Sequence, residues 1–227
     1  MTRRLVVWCE DDGHWNACRG LAQTLTSAEG PDWVREDPDQ FANLVGQWER
    51  LSDKPEAPGF GPLSRFGQGL PNSVFRRVLI GLALRNAPEL VVLAMDDDHH
   101  PTRRTDLDRA AAADWPFRVV RMMPVPEIEA WQIALSDVDD SDVAVLLRFS
   151  PRREPHRLTS TVRGDPRDAK EVAQRLGLDE WELEDWADIP ADMIRDTATA
   201  CPEVGLRLFL DDLRRHLIKP LSTGPTS

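Results

Sequence analysis

The chain has 227 residues, of which 41% are hydrophobic and 30% charged, and this length suits one α/β domain with a smaller appendage. The formal net charge of −11 argues against a protein that coats nucleic acid by bulk electrostatics. No run approaches the roughly 18 apolar residues of a membrane span, so no membrane association is expected. The cysteines at positions 9, 18 and 201 form no CxxC pair, which excludes a recognisable disulfide framework or structural zinc site.

The first elements are a strand, an acidic turn and a helix. Residues 4–9 form a short apolar run typical of a buried parallel strand, and this run stops at Glu10-Asp11-Asp12-Gly13. Apolar residues then recur at helical spacing from His14 to Ala28, with Asp12 or Gly13 as the cap. Because acids follow the apolar run so early and no cleavage site appears, we interpret it as a strand of a cytoplasmic protein.

Two further segments precede residue 72. Residues 41–51 are predicted to form a helix, since Phe41, Leu44, Val45 and Trp48 share a helical face. Residues 53–71 are rich in proline and glycine and predict a long loop, of the kind that often covers a site.

Strands and helices alternate through the middle of the chain. Helices are predicted at residues 72–86, 102–113 and 127–135, and strands at 90–95 and 117–122. This alternation implies an α/β fold with a mostly parallel, Rossmann-like sheet flanked by helices.

The last third of the chain is predicted to be helical. It contains a basic linker at 148–157, a helix near 166–176, an acidic segment at 179–190 and an amphipathic helix near 203–218. In that last helix, one face carries Leu206, Leu210, Leu213 and Leu217. We therefore divide the chain into an α/β domain (1–136), a helical C-terminal extension (137–220) and a disordered tail (221–227).

Acidic residues follow two of the predicted strands directly. Glu10 follows the first strand, and Asp96 and Asp98 follow the strand at 90–95. Since functional crevices of open α/β sheets lie beyond the carboxyl ends of the strands, these acids are expected to share one site. Crowded carboxylates repel one another, and a hard cation such as Mg²⁺ or Mn²⁺ removes that cost. Asp11 and Asp12 remain alternatives to Glu10 as ligands.

A third acidic pair follows the next strand. Glu127 and Glu129 begin the helix predicted at 127–135, where they can belong to the same site. Acids in a first helical turn are also favoured by the helix dipole, so a purely structural role stays open for both.

These residues resemble those of the Toprim family. The Toprim fold has a Glu after its first strand, a DxD after a later strand and a helix between them, and this chain resembles it in all three. The segment Pro126-Glu127-Ile128-Glu129-Ala130-Trp131 is also similar to the E-x-E-A-W helix of small stand-alone bacterial Toprim proteins. These proteins are related to the nucleases of the overcoming-lysogenization-defect family, and several sit near phage-defence genes. The resemblance covers roughly residues 3–136. It also implies a strand between the first helix and residue 70, for which Trp33-Val34-Arg35 is the candidate.

The resemblance implies an Mg²⁺- or Mn²⁺-dependent nuclease. Glu10, Asp96, Asp98 and Glu129 would be metal ligands, with Glu127 an alternative second-metal ligand and all five acids catalytic. Phosphate contacts would come from basic side chains at Arg103, Arg104, Arg121, Arg152 and Arg153. The expected partner is nucleic acid, with DNA favoured over RNA; a protein encoded by a neighbouring gene and an oligomeric assembly are further candidates.

Other phosphate-handling families fit the residues less well. A receiver domain needs a lysine at the end of a late strand, and the lysines at 54, 170 and 219 do not occupy it. Haloacid-dehalogenase-like phosphatases place their DxD after the first strand. No GxxxxGK[ST] or GxGxxG motif occurs. The alternative from a different class is a non-catalytic Toprim-like subunit that binds a metal or nucleotide and regulates a partner in a defence complex.

Overall fold

A computed structural model of the protein describes residues 4–36, 48–51, 74–84, 87–160, 164–178 and 181–222. Its centre is a four-stranded, fully parallel sheet in the order β2-β1-β3-β4. The strands are β1 (Leu5–Cys9), β2 (Trp48–Leu51), β3 (Leu90–Ala94) and β4 (Arg118–Met122). The α/β class with a parallel sheet flanked by helices is confirmed.

Helices connect the strands and recur after the last strand. They are α1 (Asp12–Glu29), α2 (Asp32–Glu36), α3 (Val74–Leu84), α4 (Arg103–Ala112), α5 (Ile128–Leu135), α6 (Ser141–Leu147), α7 (Ala169–Arg175), α8 (Leu183–Ala187), α9 (Ala191–Ala200), α10 (Leu206–Leu213) and α11 (Lys219–Ser222). A π-helical turn, Arg214–Ile218, joins α10 to α11. Among the described residues, none of these helices is both long and apolar enough to cross a membrane.

The two faces of the sheet carry two separate layers of helices. Alternate strand residues such as Val7 and Val92 face α1, α5 and the C-terminal helices. The intervening residues, such as Trp8 and Leu93, pack with α3 and α4 on the other face. Both faces are therefore buried, which explains why the central strands read as continuous apolar runs.

The C-terminal helices share one buried cluster with the sheet. The predicted face of Leu206, Leu210, Leu213 and Leu217 is confirmed, because all four side chains are buried in this cluster. The cluster runs across position 136, so the predicted α/β domain and C-terminal extension pack together through apolar side chains.

The region between α1 and residue 52 differs from the prediction. Trp33-Val34-Arg35 was the strand candidate, but it lies inside α2. The strand is instead Trp48–Leu51, which contradicts the predicted helix 41–51 at its last four residues, whereas positions 41–47 lie outside the described residues. Trp48–Leu51 pairs in parallel with Leu5–Trp8 of β1. Because β2 lies at the edge of the sheet and is only partly buried, it does not need the continuous apolar run of the central strands, and its sequence has none. At Trp48–Leu51, pairing with β1 therefore outweighs the local helical preference.

Two other predictions fall partly or wholly outside the described residues. The loop predicted at 53–71 lies outside them, as do the cap candidates Asn72 and Ser73. The tail predicted to be disordered from 221 is helical at its start, because Leu221 belongs to α11 and is buried in the core. Residues 223–227 lie outside the described part of the chain.

Gly20 permits the close contact between α1 and α8. A Cβ added at Gly20 would lie 2.3 Å from Trp186 Cβ and 2.9 Å from the Ala187 backbone nitrogen. We expect Gly20→Ala to lower the free energy of unfolding by about 1–3 kcal/mol, because overpacking outweighs alanine's helix propensity. Gly13→Ala is the control in the same helix, since its Cβ would meet other atoms at 3.4 Å. Equal urea midpoints for the two variants would contradict this prediction.

Candidate metal centre

The candidate site lies at the carboxyl ends of β1 and β3, the two central strands. The chain leaves β1 through α1 on one face of the sheet and enters β3 through α3 on the other. In the sheet, β1 connects onward to β2 on one side and β3 connects onward to β4 on the other side. The two neighbouring strand ends therefore border the crevice between connections that run in opposite directions. This is the usual ligand position in an open α/β sheet.

Three carboxylates meet in this crevice. Asp96, Asp98 and Glu127 each offer an oxygen, and these oxygens all lie within 4.8 Å of one another. Asp96 and Glu127 are buried, whereas Asp98 is partly exposed. Grouping buried carboxylates so closely is costly without a cation or shared protons.

Backbone hydrogen bonds bring the loop after β3 to the segment after β4. The Asp97 nitrogen donates to the Pro124 carbonyl at 3.0 Å, and the Asp98 nitrogen donates to the Pro126 carbonyl at 2.9 Å. Asp98 and His99 have positive φ angles of 50° and 51°, so the chain turns sharply after Asp97. This turn places Asp98 beside Glu127, the N-cap residue of α5.

Glu127 has the most perturbed environment of the three acids. Burial and the nearby Glu129 carboxylate raise the pKa of Glu127 to about 8. Its Oε1 atom is buried and has no hydrogen-bond partner in the described part of the chain, and its Oε2 atom lies 3.6 Å from Lys170 Nζ. An unsatisfied buried oxygen of this kind is suited to a metal ligand.

A buried histidine holds Asp96 in place. His14 has no exposed surface, and its Nε2 lies 3.0 Å from Asp96 Oδ1. Its Nδ1 lies 2.7 Å from Oδ1 of Asp11, which also caps α1. Burial opposes the charged imidazole, but the bonds to Asp11 and Asp96 outweigh it and raise the pKa of His14 to about 10.

His14 and Lys170 were not identified from the sequence. The Asp11-x-x-His14 spacing at a helix start is a local signal for the first contact, because an N-cap carboxylate lies near the third residue after it. Lys170 does not occupy the strand-end position that a receiver domain requires. It instead contacts Glu127 from α7. No local pattern indicates this approach.

Glu10 and Glu129 border the carboxylate cluster. Burial and the charge of Asp96 raise the pKa of Glu10, so Glu10 interacts electrostatically with the site although it is not one of the three grouped carboxylates. Glu129 faces the cavity beside α5, its Oε2 atom is buried without a partner, and burial raises its pKa. The residues predicted from the sequence are thus brought to one region, with Glu127 rather than Glu129 in the tight group.

The predicted arginine contacts are dispersed. Arg103 lies in the site, where Nη1 donates to Asp98 Oδ2 at 2.6 Å and to the Asp96 carbonyl at 2.5 Å. Arg121 pairs with Asp212 and Asp108, which anchors β4 to α10 and α4, and it does not reach the cluster. Arg152 donates to the carbonyls of Ser136 and Val138, which fixes the linker after α6. Arg104 and Arg153 are exposed.

The cluster fits a hard divalent cation. Its three donors are all carboxylate oxygens, which favour Mg²⁺ or Mn²⁺ over softer metals. The unsatisfied Oε1 of Glu127 provides an independent observation in favour of this fit. His14 supports Asp96 from behind, as hydrogen-bonded partners of metal ligands generally do.

Comparison with protein-family models, with curated proteins and with solved structures finds no significant match for this chain.

Proposed function

We propose that the protein is a Toprim-like, Mg²⁺- or Mn²⁺-dependent phosphodiester hydrolase that acts on nucleic acid, with DNA favoured over RNA. The observation that carries this proposal is the meeting of Asp96, Asp98 and Glu127 oxygens within 4.8 Å at the carboxyl ends of the central strands. The Toprim resemblance supplies the reaction class, and it also motivates the proposed role in phage defence with a partner from a neighbouring gene.

The side chains of the site have separable roles under this proposal. Asp96, Asp98 and Glu127 would hold the cation, which would supply Lewis acidity and lower the pKa of a bound water. Lys170, beside Glu127, and Arg103, beside Asp98, place positive charge where a phosphate would approach. Burial raises the pKa of Glu10 and of Glu129, which shifts both carboxyls in the direction that favours proton transfer by a general acid or base.

Cleavage assays test this function directly. Purified protein is incubated with plasmid, circular single-stranded DNA or RNA, with Mg²⁺, with Mn²⁺ or with chelator. We expect metal-dependent cleavage of at least one DNA substrate and none with chelator. Absence of cleavage on all three substrates, with both metals, would rule out the protein as a self-sufficient nuclease.

A second candidate function is metal or nucleotide binding without catalysis, in a subunit that regulates a partner. One observation favours it: Arg103 already donates to Asp98, so one of the three carboxylates has a cationic partner. The net charge of −11 also disfavours a polyanionic substrate. Saturable Mn²⁺ or nucleotide binding without cleavage, even after addition of the neighbouring gene product, would select this function.

Affinity for Mn²⁺ should rise with pH because metal and proton compete for Glu127. With a pKa of about 8, the Glu127 carboxyl is largely protonated in mildly acidic solution and becomes ionised as the pH rises through that value. Calorimetric titration with Mn²⁺ should therefore show an affinity that increases by up to about tenfold per pH unit below pH 8 and then levels off. Glu127→Gln should bind more weakly and lose most of this pH dependence. A flat profile for the unmodified protein would exclude Glu127 as a ligand.

A further inference from the structure

The cavity that Glu129 faces lies beside the carboxylate cluster, between helices on one face of the sheet. Its volume is about 660 Å³, which is within the usual range for small-molecule sites. Its walls are the start of α1, the α5 face with Glu129 and Gln132, the α7 face with Lys170, and Trp181 with Glu182 before α8.

Two hydrogen-bond acceptors in this wall have no donor among the described residues. Gln132 is only 6% exposed, and its Oε1 atom is buried without a partner. The Oε2 atom of Glu129, one helical turn earlier, is also buried without a partner. Because residues three apart share a helix face, both side chains lie on the side of α5 that lines the cavity. Leaving two such oxygens desolvated is unfavourable, so the cavity is suited to a molecule that donates hydrogen bonds.

The charge of the wall favours a cation as that donor. Five acids line the cavity among the described residues: Asp11, Asp12, Glu129, Glu171 and Glu182. Three have cationic partners, because His14, Arg50 and Arg175 contact Asp11, Asp12 and Glu171 respectively.

Glu182 keeps its negative charge available to a ligand. Glu182 accepts hydrogen bonds from neutral groups, the Asn16 amide and the Asp185 backbone. Lys170 is shared between Glu129 and the buried Glu127. The Trp181 ring adds an aromatic surface, which attracts alkylammonium groups.

We propose that this cavity is a binding site for an aliphatic diamine or polyamine. One ammonium group donates to Gln132 Oε1 and Glu129 Oε2, and another lies near Glu182 and the Trp181 ring. The site shares Glu129 with the proposed nuclease site, but it binds a different ligand, and it does not depend on the proposed nuclease activity.

Calorimetry and tryptophan fluorescence with putrescine and spermidine test this inference. We expect saturable one-to-one binding at millimolar concentration or below, weakened by salt because the attraction is electrostatic. Gln132→Leu should weaken binding by at least about tenfold, since it removes an acceptor to a charged donor. Gln132→Glu should bind more tightly than Gln132→Leu, because it restores the acceptor and adds charge. Gln23→Leu, at an exposed position of α1, should bind as the unmodified protein does.

Several results would overturn the inference. One is the absence of saturable binding by either amine at millimolar concentration. Another is equal affinity of Gln132→Leu and Gln132→Glu, provided that both variants keep the circular dichroism of the unmodified protein. Displacement of spermidine by equimolar Mg²⁺ would assign the cavity to a metal ion, and tighter binding of guanosine than of spermidine would assign it to a neutral base.

Discussion

Asp96→Asn is expected to lower metal-dependent phosphodiester cleavage by about 10²–10³-fold, as loss of a central electrostatic group does in other enzymes. Asp96 is the buried acid at the end of β3, and its oxygen lies within 4.8 Å of those of Asp98 and Glu127. Asparagine keeps the shape and an acceptor for His14 Nε2, so the change mainly removes the negative charge. A weaker ligand at this position should reduce both Mn²⁺ affinity and the rate at saturating metal.

The neighbouring residue provides a matched control. Asp97→Asn removes the same charge one position away, from a residue outside the grouped ligands, and the Asp97 backbone bond to Pro124 does not depend on its side chain. Its cleavage rate should stay within about threefold of the unmodified protein, as expected for a change that leaves the reacting groups in place. Equal rates for the Asp96 and Asp97 variants would contradict the assignment of the metal centre.

The sequence was sufficient to predict where the site lies. Apolar runs followed at once by acids mark the carboxyl ends of buried parallel strands, and this pattern predicted that Glu10, Asp96 and Asp98 would lie in one region. It could not distinguish Glu127 from Glu129, because both begin the same helix. The structure makes Glu127 the N-cap and places it in the tight group, whereas Glu129 faces the next cavity.

Long-range contacts account for most of what the sequence could not predict. Lys170 meets Glu127 from a helix that is placed by the packing of the C-terminal extension. The strand Trp48–Leu51 lacks an apolar pattern because it lies at the sheet edge and is defined by its pairing with β1. Neither feature depends on local periodicity, which is the main signal available from one sequence.

Replacing His14 is expected to have the largest effect on stability among the variants considered. His14→Leu leaves the Asp96 carboxylate buried without its imidazole partner, and loss of one member of a buried ion pair typically costs about 3–5 kcal/mol. Urea denaturation should show this loss as a lower midpoint at neutral pH. The control is His100→Leu at an exposed position, for which a change below about 0.5 kcal/mol is expected.

The pH dependence of that loss identifies its cause. Because the pKa of His14 rises from 6.5 to about 10 on folding, its stabilising contribution is complete below pH 6.5 and disappears as the pH rises towards 10. Asp11 behaves in the opposite sense. Burial opposes its charge, but the hydrogen bond from His14 outweighs burial and lowers the pKa of Asp11 from 3.8 to about 2. Its stabilising contribution is therefore lost as the pH falls through that range. The difference in unfolding free energy between the unmodified protein and His14→Leu should therefore be largest between pH 3.8 and pH 6.5. It should decrease in alkaline solution, whereas a difference that stays constant from pH 6.5 to pH 10 would mean that the folded protein holds His14 neutral.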